Sequence, residues 1–178
     1  MKYKISRQIK IKQHDRTDCG PACLASICSY YRGYSSIAQI RLLAGTNQRG
    51  TNLKGLMEAA IKLGFNVKGV KGSYQCLYKI AKPVIAHLIL EDELHHFVVI
   101  YEVKKKVIKI MDPASGSLKK VPQVEFNQQW TGVLLLLSPG AEFEKSTQKK
   151  SNLGRLLLNL PLNFRLSSGE KSEFEHIN

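Results

Sequence analysis

Long apolar runs are missing from this chain. Across 178 residues the longest is five, Val133 to Leu137, far below the roughly 20 residues a membrane-spanning helix needs. The first residues, Met1 to Gln13, alternate lysine and arginine with isoleucine and hold no apolar stretch of the secretory kind. Cysteine is scarce, with four in all, too few for a disulfide scaffold in a chain of this length. A reducing, cytosolic setting is therefore the default expectation. Acidic residues are also few: 14 against 27 lysines and arginines, for a net charge of +13. The excess lies in residues 1–140, which hold 21 basic and 9 acidic groups. Such a surface suits an acidic peptide or the anionic leaflet of a membrane. Nucleic acid is not the expected partner, because zinc-finger spacing, a basic heptad helix and an aromatic RNA-binding signature are all lacking. The densest basic run, Lys104 to Lys106, reads as a solvated hairpin tip.

What is present is enough to fold. The apolar fraction, 43%, supports one core of ordinary size. Residues 1–12 look extended, with Ile5, Ile9 and Ile11 among lysines. A helix is predicted from Cys19 to Tyr31, started by the cap-type residues Thr17 and Asp18, with Pro21 in its first turn. Further helices are predicted over Ser36 to Leu43 and Thr51 to Leu63, the latter stopped by Gly64. The pattern then changes to strands at Phe65 to Val70, Pro83 to Leu90, Phe97 to Val103, Val107 to Met111 and Gly132 to Leu137. Ser73 to Ile80 reads as a short helix, and Pro122 to Trp130 as a short helix or loop. Helices followed by antiparallel strands make the α+β class. The domain is expected over 1–140. Residues 141–178 read as a polar linker, a Leu-rich segment from Leu153 to Leu166 that either packs on the domain or docks on a membrane surface or partner, and a disordered end.

Chemistry is suggested by position. Cys19 opens a helix, where unpaired amides and the helix dipole favour an anion and lower a thiol below its free value of about 8.5. Gln13, six residues upstream, can supply an amide NH2 beside the Cys19 N–H as a second donor for an oxyanion. A three-residue loop at Lys104 would pair residue 102 with 106 and His96 with Asp112. Side chains so paired stand about 4.5–5.5 Å apart at Cβ, within reach of an imidazole–carboxylate bond. The carboxylate would fix one ring nitrogen and leave the other for a thiol. His95 would face the opposite way. Cys23, Cys28 and Cys76 read as core residues. A redox motif and a structural zinc site are weaker readings, because Cys19 and Cys23 lie one helical turn apart and paired ligand spacing is missing.

These residues carry a resemblance. The stretch from Gln13 to Cys23, with four residues between Gln13 and Asp18 and then Cys19-Gly20-Pro21-Ala22-Cys23, resembles the peptidase domain of bacteriocin-processing cysteine peptidases. So do His96 before Phe97-Val98, and Asp112 before Pro113. The likeness covers about residues 7–139. It implies a papain-like cysteine peptidase fold, with N-terminal helices packed on a C-terminal antiparallel sheet. It also implies Cys19 as nucleophile, His96 as base then acid, Asp112 as orienter and Gln13 as oxyanion donor, with no metal or cofactor. The implied substrate is a precursor peptide whose amphipathic leader helix docks in a groove and is cut after a double glycine. The implied partners are the membrane and ATPase parts of an ABC transporter on the cytoplasmic side of a bacterial membrane. The chain itself carries neither a six-helix membrane domain nor a Walker P-loop, so an excised domain, a truncated product and a stand-alone peptidase are all expected possibilities. A leader-binding module that does not cut, and a thiol acyltransferase or amidase, would use overlapping residues.

Overall fold

Each helix forms where a cap and an apolar face coincide. A computed structural model of the chain describes residues 7–145. Helix α1, Cys19–Tyr30, is buried at every position from Cys19 to Cys28, as a central helix must be. Pro21 falls at the third position of α1, where no intrahelical donor is required. Helix α2, Ile37–Ala44, starts on the Ser36 hydroxyl, which accepts from the Gln39 N–H (3.1 Å), and ends on left-handed Gly45. Helix α3, Leu53–Lys62, is capped by Asn52, which accepts from the Gly55 N–H (2.8 Å), and it buries Leu56, Ala59 and Ala60 along one side.

The strands are β1 (Phe65–Lys71), β2 (Val84–Ile89), β3 (His95–Val103), β4 (Val107–Asp112), β5 (Ser117–Pro122) and β6 (Trp130–Pro139), with helix α4 (Gln123–Gln129) before β6. They form one antiparallel sheet in the order β1-β6-β2-β3-β4-β5. Alternation along β3 divides the core. Phe97, Val99 and Tyr101 join Cys23, Leu24 and Ile27 of α1 in one cluster. Val98 and Ile100 join Ile108, Phe126 and Trp130 in the other. This is the α+β arrangement expected from the sequence, with α1 laid on the sheet. Two bonds fasten the N-terminal arm to it. The buried Ser26 hydroxyl donates to the Ile9 carbonyl and shares a 2.7 Å bond with the Tyr101 hydroxyl. The Gln13 N–H donates to the Pro113 carbonyl at 2.9 Å.

Several expectations need correction. Residues Arg7–Ile9 form a 3-10 turn rather than an extended segment. The stretch at Ser73 to Ile80 contains a 3-10 turn, Tyr74–Tyr78, and Cys76 on it is exposed, not core. Strand β5 was not foreseen, because Leu118-Lys119-Lys120-Val121 is too polar to read as a strand without its neighbour. The β3–β4 register also differs. Lys104 and Val107 bond each other across a two-residue tip, and a bulge follows between Ile100 and Glu102. Val99 therefore faces Met111, and Asp112 falls opposite Val98 rather than His96. Before the bulge the slip is two residues, so His96 and Asp112 keep a common face.

Phe143, past residue 140, packs on Phe65 with ring centroids 4.5 Å apart. Ile5, the rest of the expected linker from residue 146, the Leu153 to Leu166 segment and the expected disordered end lie outside the described residues. Among the described residues no helix is long and apolar enough to cross a membrane.

Gly55 supplies a sharp test of this packing. A Cβ there would land on the Ala44 carbonyl oxygen of α2. Helix propensity alone makes Gly→Ala stabilising by about 1 kcal/mol, but overpacking of this kind costs about 1–3 kcal/mol. Gly55→Ala should therefore lower the urea midpoint, and a raised midpoint would refute the close α2–α3 approach.

Candidate active site

The buried first turn of α1 presents Cys19. Asp18 occupies the N-cap position but makes no side-chain bond to the helix. Its carboxylate turns away instead, accepting from the Asp15 N–H (3.2 Å) and from the Arg41 guanidinium of α2. This corrects the expectation that Asp18 caps α1, and it leaves the first amides of α1 without a carboxylate.

His96 is the second residue of β3 and Asp112 the last of β4. Despite the altered register, His96 Nε2 and Asp112 Oδ1 are 3.0 Å apart. They are diagonal neighbours on one face, a separation that a histidine spans. Since Nε2 is engaged by Asp112, the other ring nitrogen remains for Cys19, which is near enough to favour the charged ring. Cys19, His96 and Asp112 are 7%, 7% and 9% exposed, so their charges act on one another with little water between them.

Asp112 is held by more than His96. Lys119 Nζ of β5 donates to its second oxygen at 2.6 Å, the Ala114 N–H donates at 3.0 Å and the Ser115 hydroxyl at 3.3 Å. Burial pushes its carboxyl up, but the bonds from His96, Lys119 and Ala114 outweigh that and hold it well below the usual range. For His96, burial favours the neutral ring, while the bonds and charges of Asp112 and Cys19 oppose it. The result is an imidazole raised to about 9. The arrangement thus favours imidazolium between two acidic partners.

Gln13 is brought to the end of β4 by its bond to Pro113, beside Asp112. Its side-chain oxygen is buried without a hydrogen-bond partner. His95 faces the other way, as expected, stacked on His87 with a 3.0 Å bond between the rings. Thr51 and Phe97 flank Gly20, the residue after Cys19, and both also line a cavity of about 610 Å³ together with Arg49, Leu53, His87 and His95. The other buried thiols are poor nucleophiles. Burial pushes Cys23 well up, helped by the charges of Cys19 and Asp112, and carries Cys28 to about 12. Lys119 and Arg41 were missed by sequence reasoning. The only prior signal for Lys119 is a strand too polar to be recognised. For Arg41 the sequence carries none, because the contact spans a loop and a helix.

The family model described as "Peptidase C39 family" matches residues 7–142. A relative from Lactococcus lactis subsp. lactis, the lactococcin-G-processing and transport ATP-binding protein LagD, is 39% identical over 145 residues, covering 80% of this chain and 20% of LagD. The chain therefore spans about a fifth of the length of the curated relatives it matches. Among solved structures, the peptidase domain of Streptococcus ComA, a bi-functional ABC transporter involved in a quorum sensing pathway, superposes with a TM-score of 0.69 and 36% identity, over 72% of this chain and 96% of that one. A double glycine motif protease from an AMS/PCAT transporter, in complex with its leader peptide, gives 0.66 and 32%, over 72% and 89%. The fold is that of these papain-like domains.

The His96–Asp112 bond makes a direct prediction. In the parent protein the His96 ring should titrate near 9 by NMR. Asp112→Asn removes a stabilising anion while burial remains, so the midpoint should fall by more than one pH unit. An unchanged midpoint would show that Asp112 does not set the charge of the ring.

Proposed function

The chain belongs to the Peptidase C39 family, and from that membership and the site geometry we propose that it is a cysteine endopeptidase removing double-glycine-type leaders from bacteriocin or signalling-peptide precursors. The observation that carries this reading is the buried His96 imidazole bonded to Asp112 at 3.0 Å, with Cys19 near enough to favour its charged form. It is supported by the relatives, named for processing and transport, and by the leader-peptide complex among the similar structures.

The chemistry then follows from the groups. His96 takes the Cys19 proton, and the thiolate attacks the carbonyl carbon of the residue before the cut. The carbonyl oxygen becomes an oxyanion, received by the Cys19 N–H at the uncapped helix start and by the Gln13 amide. His96 gives its proton to the departing amine, leaving Cys19 as a thioester. Water, deprotonated by His96, displaces the thiolate and releases the leader acid. Asp112 keeps the ring oriented and compensates its charge throughout. No metal or cofactor takes part.

The partners in this reading are the precursor and, in cis or in trans, the membrane and ATPase parts of an ABC transporter, which would supply the ATP-dependent export step. The site would work on the cytoplasmic face of a bacterial membrane. The basic excess over residues 1–140 favours acidic leaders and the anionic leaflet.

Incubation with double-glycine precursors, read by mass spectrometry, tests the proposal. Cys19→Ala should abolish cleavage and retain leader binding, while Gln13→Ala should lower kcat about 10²–10³-fold. Full cleavage by Cys19→Ala would end the cysteine mechanism. A parent chain that binds leaders without cutting them would be a binding module. Raising salt should raise KM for acidic leaders if charge draws them in.

A further inference from the structure

The nucleophile carries an unwelcome neighbour. Asp18 precedes Cys19 directly and is only 1% exposed. A buried carboxylate beside a thiolate would oppose its ionisation, because like charges in a low dielectric repel strongly. It is also well placed to compete for the helix start, since aspartate at an N-cap ordinarily accepts from the second or third amide of its helix. That second competition does not happen here. Pro21, at the third position, has no N–H to offer, and Asp18 leaves the remaining amides alone.

One side chain from outside explains this. Arg41 projects from α2 onto the turn ahead of Cys19 and holds three of its residues at once. It bonds Asp18 Oδ1, the Thr17 hydroxyl (3.0 Å) and Asp15 Oδ2 (3.2 Å). The turn is closed on itself by the reciprocal bonds of Asp15 and Asp18. Arg41 thus contributes the cation that a buried carboxylate needs and fixes the direction in which that carboxylate points.

We propose that Arg41 is a positioning residue for the cysteine chemistry, holding the Asp18 carboxylate off α1 and cancelling its charge so that the first amides of α1 stay available to the Cys19 thiolate and to the oxyanion. The proposal rests on the role of Cys19 given above. Other titratable groups face Cys19 as well: His96 from β3 and Cys23 from its own helix, with Asp112 of β4 behind His96 and Lys119 behind Asp112. Each of these is unchanged in an Arg41 variant, so the contribution of Arg41 can be isolated.

The test uses the rate of Cys19 alkylation by iodoacetamide against pH, with peptide mapping to separate the four thiols. It needs no peptide substrate, so it stands or falls apart from the question of what the chain cleaves. In Arg41→Gln the acid limb for Cys19 should move up by about one pH unit, a rate near pH 6 about tenfold lower. Exposed Cys76, on a separate turn, should alkylate as in the parent. Arg41→Lys keeps the charge on a different head group and should fall between the two. The double variant Asp18→Asn/Arg41→Gln removes the charge that Arg41 answers, and its limb should return toward the parent position. That rescue is what a merely structural role would not produce. Superposed profiles for the parent and Arg41→Gln would overturn the proposal. If Arg41→Gln does not fold, a double variant that folds with its limb still displaced would overturn it equally.

Discussion

Burying α1 along almost its whole length sets the terms for the rest of the molecule. A helix so enclosed cannot leave polar groups at its start to chance, because amides removed from water must find partners or a task. Its middle is satisfied by apolar contact with Phe97, Val99 and Tyr101 of β3, and Ser26, its polar residue in that contact, is paired with Ile9 and Tyr101. Its N-terminus is different. There Pro21 removes one donor and Asp18 makes no side-chain bond to the helix, so the remaining amides are left without a side-chain cap.

The electrostatics of the site are consistent with that placement. Cys19, His96 and Asp112 share a nearly dry environment, where an isolated charge would be costly. Each charge therefore has a counterpart. Asp112 is answered by His96 and Lys119, and Asp18 by Arg41. The imidazolium sits between acids, which is why its proton is held to about 9 in spite of burial. Two cations that touch neither the sulfur nor the ring, Lys119 and Arg41, maintain this balance from β5 and α2.

Much of this was legible in the chain, and the exceptions are informative. The helix starts were readable because Ser36 and Asn52 cap by local bonds, and the α+β order followed from the change of period after Gly64. The pairing of His96 with Asp112 was readable for a reason more robust than the register used to reach it. The hairpin tip and the bulge move the register by two residues, yet parity survives, so both side chains still face the same way. Strand β5 was not legible, since a lysine-rich edge has no strand pattern until its partner supplies the hydrogen bonds. Cys76 was misjudged because a cysteine in an apolar stretch looks like core, whereas a 3-10 turn aims it outward. Arg41 lies on a separate helix, and no local rule connects it to the turn it grips.

The two outer strands of the sheet have a bearing on how a peptide can be received. A bare edge is a template for any extended chain that comes alongside, and proteins commonly defend such edges with lysine. Strand β1 carries Lys68 and Lys71, and β5 carries Lys119 and Lys120. Lys119 is drawn onto Asp112, leaving Lys120, paired in register with Lys109, as the guard on that side. Two like charges facing one another weaken a pair of strands, so the edge gives up a little stability in order to repel a newcomer. An extended chain is thereby denied the easiest mode of attachment, zippering onto the sheet.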